Sequence, residues 1–145
     1  MAGSTPIILG LGRAAAQAMM SALAGAIRST SASAGVGYAT GAGGTVSQGV
    51  SRATTVVLNT VTGQITTTAD SLAALAVVTF TVTNSAVVAT DTIVLSKVSG
   101  DVDTFCWVNA VGAGSFDVTL RNSHATVADT TAFVFNFAVI KAVTS

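Results

Sequence analysis

Glutamate is absent from the sequence, and proline, cysteine, histidine, tryptophan and tyrosine occur once each. Charged residues are 8% of the 145. Each shortage removes a class of protein. Without Glu and with little Lys, the chain lacks the residues that build long surface helices and coiled coils. The lone Cys106 excludes a disulfide-stapled domain. Six basic residues against six acids, all of them Asp, give a formal net charge of zero, which argues against a basic nucleic-acid interface. A 50% hydrophobic content with so little charge excludes a disordered chain. What is abundant is Ala, Thr, Val and Gly, and Thr and Val favour pleated strands. A nearly uncharged surface favours association. The composition is that of a subunit whose surface is covered by copies of itself or by partners.

The N-terminal stretch IILGLGRAAAQAMMSALAGAI (7–27) has about the length of a membrane span. Arg13 interrupts it, Arg28 ends it, and Ala and Gly supply most of its apolar count. No Lys or Arg precedes Pro6, as a secretory signal would require. The expectation is a short helix or an extended docking arm, with no membrane contact. Met19, Leu23 and Ile27 follow at i, i+4 spacing and form one helical face. Ile7, Ile8 and Leu9, with that face, are the candidate partner-binding residues. Residues 29–49 are rich in Gly, Ser, Ala and Thr without periodicity, which reads as a linker. Gly41-Ala42-Gly43-Gly44 within it lacks the Lys-Ser or Lys-Thr of a phosphate loop and reads as a plain loop. Tyr38 is the one aromatic there, a candidate anchor in a neighbouring groove.

From Arg52 onward apolar and polar residues alternate. Segments 54–59 and 64–68 flank Val61-Thr62-Gly63 as an expected hairpin. Val78, Phe80 and Val82 alternate with threonines, as in a half-buried antiparallel strand. Further strands are expected over 91–98, 103–110, 116–121 and 133–140. In the segment 103–110, Phe105 and Trp107 share one face, with Cys106 and Val108 on the other. Phe133, Phe135 and Phe137 should form the core, each ring contributing roughly 1.5–3 kcal/mol, with Trp107 capping it. Seven or eight short strands indicate an all-β protein, an antiparallel β-sandwich or jelly roll. The domain boundaries are a 1–36 arm for attachment or oligomerisation and a 37–145 β-sandwich.

Catalytic equipment is sparse. His124 lies between strands and reads as a loop histidine. One His and one Cys do not make a zinc site. Asp101 and Asp103 flank Val102, but no Glu completes a calcium loop. Cys106, inside a strand, reads as a buried, inert thiol. No catalytic residue, metal or cofactor is assigned, and the chain is expected to bind and pack rather than to act as an enzyme.

Five phrases, GYATGAGGTVSQ (37–48), VLNTVTGQIT (57–66), FTVTNSAVVATD (80–91), GSFDVTLRN (114–122) and FNFAVIK (135–141), resemble small structural proteins of tailed-bacteriophage virions. The resemblance spans about residues 37–141 and includes no catalytic motif. It implies a virion component on the capsid surface, a decoration or cement protein that binds the major capsid protein lattice and stabilises the head. It also implies a small homo-oligomer, a trimer ahead of a dimer. The competing expectation is a head-fibre or tail-fibre module that binds a receptor or carbohydrate through Trp107, Tyr38, His124 and the Asp101/Asp103 loop.

Overall fold

The computed structural model describes residues 12–16, 31–33 and 35–144. The chain divides into two units, Met1–Gly37 and Tyr38–Ser145. In the first, residues 13–16 form a single helical turn in which the Ala15 and Ala16 N–H groups both donate to Gly12 O. Ile7, Ile8, Leu9, Met19, Leu23 and Ile27 lie outside the described residues.

The second unit is a β-sandwich. Its strands are β1 (Gly43–Ser47), β2 (Val56–Val57), β3 (Thr62–Thr66), β4 (Val77–Thr83), β5 (Thr92–Ser99), β6 (Thr104–Gly112), β7 (Ser115–Asn122) and β8 (Val134–Ile140). One sheet has the order β1-β3-β8-β5 and the other β2-β4-β7-β6. The chain crosses from sheet to sheet at nearly every connection. Consecutive strands share a sheet only at the β6–β7 hairpin. Crossing in this way makes each sheet mixed: β1 runs parallel to β3 and β2 to β4, while the remaining pairs are antiparallel. The expectation of wholly antiparallel sheets is corrected accordingly.

Two local expectations also fail. Segments 54–59 and 64–68 do not form a hairpin, because β2 and β3 belong to opposite sheets and Thr62 and Gly63 are already strand residues. Gly43 and Gly44 are not loop residues but open β1. Their lack of side chains is what the site requires. A Cβ on Gly44 would stand 2.8 Å from Leu58 Cδ1, and one on Gly63, its register partner, 2.8 Å from Leu58 Cδ2. Leu58 thus fills the space that side chains would take on two adjacent strands.

The core follows the alternation expected. Phe133, Phe135, Phe137 and Val139 from the last strand and its approach are all buried, against Phe80, Val82, Phe116, Val118 and Leu120 of the facing sheet. Tilted ring pairs cross the interior, Phe116–Phe137 at 5.4 Å between centroids and Phe80–Phe135 at 6.3 Å. Such pairs add roughly 0.5–1.5 kcal/mol beyond the area they bury.

One end of the sandwich is closed by a buried arginine. Arg52, in the β1–β2 connection, is 1% exposed. Its Nε donates to Asp70 O at 2.7 Å and its Nη2 to Thr131 O at 2.8 Å. Its Nη1 stands 3.3 Å from Asp129 Oδ2. Thr104 Oγ donates to that same oxygen at 2.8 Å, and the Thr131 N–H donates to Asp129 Oδ1 at 2.8 Å. Four stretches that follow or precede strands are thereby held together. Burial pushes the Asp129 carboxyl upward most strongly, but the Thr131 and Thr104 hydrogen bonds and the Arg52 charge together hold it below its ordinary value of 3.8. Asn84 fastens the opposite end, its Nδ2 donating to Thr60 O at 2.7 Å and its N–H to Gly114 O at 2.8 Å.

Arg52→Met removes one partner and leaves the Asp129 carboxylate buried and uncompensated, so denaturant unfolding should show a loss of about 3–5 kcal/mol. A loss under about 1 kcal/mol would mean that the pair does not hold the end closed. A carboxyl depressed in the folded state resists protonation that the unfolded chain accepts. Its stabilisation is therefore full above the ordinary value and fades as pH falls through the lower folded value. Thermal unfolding between pH 6 and pH 2 should show a low-pH decline in the wild type that is shallower in Asp129→Asn.

Candidate interaction surface

Alternation places one row of each strand in the core and the other on the outside. On the β2-β4-β7-β6 sheet the outward positions are Val77, Thr79 and Thr81 on β4, Asp117, Thr119 and Arg121 on β7, and Phe105 and Trp107 on β6. Register lines them up in rows across the strands. Val77 pairs with Arg121 and Arg121 with Phe105; Thr79 pairs with Thr119 and Thr119 with Trp107; Thr81 pairs with Asp117 and Asp117 with Ala110. A register shift between Val108 and Ala110 interrupts β6 just before the last row. Such a bulge bends an edge strand and strengthens its twist.

Trp107 is 41% exposed and Phe105 50%. The expectation that Trp107 caps the core is wrong. Cys106 and Val108 pack against the core instead, and the two larger rings take the outside because alternation forces a choice between the two sets. Val77, across β7 from Phe105, and Leu75 are also exposed. Leu75 has φ 61°, a left-handed conformation that is strained for a leucine and that persists only where its surroundings fix it. Here the Ala76 N–H donates to Ala73 O and the Asn122 N–H to Ala76 O, holding the turn at the entrance to β4.

The polar groups of this face are largely bonded to one another. Thr79 and Thr119 hydroxyls are 2.8 Å apart, and Thr81 Oγ donates to Asp117 Oδ1 at 2.7 Å. Thr119, between Thr79 and Trp107, is itself only 3% exposed. Arg121 has no ion pair among the described residues. The outer face of the other sheet differs in kind: its central row reads Thr45, Gln64, Asn136 and Ser96, with Gln64 Nε2 donating to Asn136 Oδ1 at 3.0 Å.

The remaining candidates are occupied structurally. Tyr38 is half-exposed and its hydroxyl donates to Val139 O of its own unit. His124 Nδ1 accepts the Thr126 and Val127 N–H groups at 3.1 and 2.9 Å, which shapes the β7–β8 connection. Asp101 Oδ1 accepts the Asp103 N–H at 2.8 Å, forming a turn, and no group of three His, Cys or Asp among the described residues is arranged to hold a metal. Burial raises the Cys106 thiol to about 11, against a lesser downward pull from the Lys97 charge, so it is almost wholly protonated at neutral pH. A recess lined by Ala110, Val111, Gly112, Ser115, Phe116 and Asp117 has a volume of about 160 Å³, below the roughly 300–1,000 Å³ of small-molecule sites. No helix among the described residues is long and apolar enough to cross a membrane. The sequence signal for this surface was the alternation in TFCWVNAVG, which identified two faces without saying which is inside. The alternation over 116–121 puts Asp117, Thr119 and Arg121 on the face opposite Phe116, Val118 and Leu120, but nothing in it tells that Arg121 is left without a counter-charge.

Comparison with protein-family models, with curated proteins and with solved structures gives no match.

Because Trp107 lies outside the core, Trp107→Ala should change the stability of the isolated subunit by less than about 1 kcal/mol. Phe135→Ala, which empties a fully buried site, should cost about 3–5 kcal/mol. Urea unfolding of both variants at low protein concentration checks the contrast.

Proposed function

We propose that this chain is a structural subunit of a bacteriophage virion, a decoration or cement protein on the capsid surface that binds the major capsid protein lattice and stabilises the head. The observation that carries the reading is the division of labour in the sandwich. The threonines of the β4–β7–β6 face are bonded to one another or to Asp117, and large apolar side chains are left outside. Fifteen large hydrophobic residues are exposed among the described ones, and two of them, the aromatic Phe105 and Trp107, stand two positions apart on the outer side of β6. Scattered exposed residues are ordinary, but contiguous ones mark an interaction surface. The phage-like phrases between residues 37 and 141 point to the same role. The part of such a contact that rests on apolar burial holds across a range of ionic strength. The protein works in this reading as a small homo-oligomer, with neither nucleic acid nor membrane as partner and without enzymatic activity.

A fibre module that binds a receptor carbohydrate is the second reading, and one observation favours it: Phe105 and Trp107 stand two residues apart on one exposed face, as a stacking platform for sugar rings would.

Particles assembled without this protein should lose heat and osmotic resistance and regain both when it is added back. Unchanged resistance, with binding of the purified protein on a glycan array, would replace the first reading by the second.

A further inference from the structure

We propose that the outer face of β4, β7 and β6 is the contact between two copies of this chain, packed face to face about a two-fold axis that crosses the strands over Thr119. The face is self-complementary about that residue. Outward residues two apart on a strand are separated by about 6.5–7 Å, so Arg121 and Asp117 lie at equal distances on either side of Thr119. A two-fold axis in that position reverses the strand direction and keeps β6 over β6. It brings Trp107 onto Trp107 of the second copy, sets Phe105 against Ala110, and sets Arg121 against Asp117. Because the contact is isologous, the charge pair occurs twice and the assembly closes at two subunits. Sheets packed this way stand about 10 Å apart, a gap that an extended arginine reaches across and two indole rings fill.

The charges available fit this occupant. The Arg121 guanidinium has neither a hydrogen bond nor an ion pair among the described residues, and Asp117 Oδ2 has no hydrogen bond there either. Apart from these two, the face presents Val77, Phe105, Trp107, Ala110 and threonines, with Asn109 exposed at the β6 bulge. Thr79, Thr119 and Thr81 are already bonded within the face, and the two charges left over are of opposite sign and equally spaced about Thr119, which is what a second copy of the same face matches. A second copy needs only apolar area and the two charge pairs. Such a contact is two-fold, and it replaces the trimer favoured by the resemblance with a dimer. It does not depend on where in a virion, or whether in one, the protein resides.

The full-length protein reports on this contact directly, since its single tryptophan lies on the proposed axis. Sedimentation equilibrium should give a dimer, and dilution should red-shift the Trp107 emission and increase its quenching by acrylamide. Trp107→Ala should weaken association by roughly thirty-fold or more. Arg121→Asp and Asp117→Arg should each weaken it by at least about ten-fold through like-charge contacts. The double variant carrying both changes should recover association to within about three-fold of wild type. Circular dichroism of each variant separates loss of the contact from loss of the fold, and the wild-type dilution series needs no variant. A wild type that remains monomeric at about 100 µM, a trimer indifferent to the charge exchange, a double variant as weak as the singles, or a monomer that binds glycans through Trp107 would each overturn the proposal.

Discussion

Burial of the Arg52 guanidinium is the constraint on which the sandwich depends. A charge 1% exposed is tolerable only beside a counter-charge and acceptors, and these come from separate parts of the chain: Asp70 before β4, Asp129 and Thr131 before β8, with Thr104 at the start of β6 completing the carboxylate's bonds, while Nη1 meets Asp129 as an ion pair without a hydrogen bond. Two mostly apolar sheets could slide on one another at small energetic cost if only hydrophobic burial joined them. A guanidinium with fixed bond directions does not permit sliding. It sets the register of one sheet over the other and seals the end that the loops would otherwise leave open.

This kind of closure suits the topology. With the chain alternating between sheets, few contacts are local, and formation of the core must wait for loops to close. Polar fasteners at both ends, Arg52 with Asp129 at one and Asn84 at the other, keep the crossing connections in place. They also release the sheet faces from structural duty. The β4–β7–β6 face keeps its apolar side chains outside because the interior is already filled by Phe80, Phe116, Phe133, Phe135 and Phe137. Its threonines bond to one another, and one unpaired arginine and one aspartate remain at opposite ends of β7.

Individual residues mark how much of this was legible in the sequence. The last strand was, because three phenylalanines at alternate positions can be buried only on one side of a sheet. So was β4, where threonines alternate with Val and Phe. The segment 54–68 misled, since a hairpin and a strand crossing between sheets share the same local pattern and differ only in distant partners. Gly43 and Gly44 misled for a related reason: glycines that clear space for Leu58 look like loop glycines until Leu58 is placed. Trp107 misled because size suggests the interior, yet its strand neighbour Cys106 went inside. Arg52 gave no sign of its role, since nothing near it in sequence names Asp129 as its counter-charge.

By itself, the sequence determined that this is a chain of short strands with an aromatic core and almost no charge, because hydrophobic period and β-propensity are local properties. The three-dimensional structure alone decided which strands pair, which face of β6 is buried, and where the few charges meet. Those outcomes rest on contacts between residues tens of positions apart, and such contacts leave no trace in the order of neighbours along the chain.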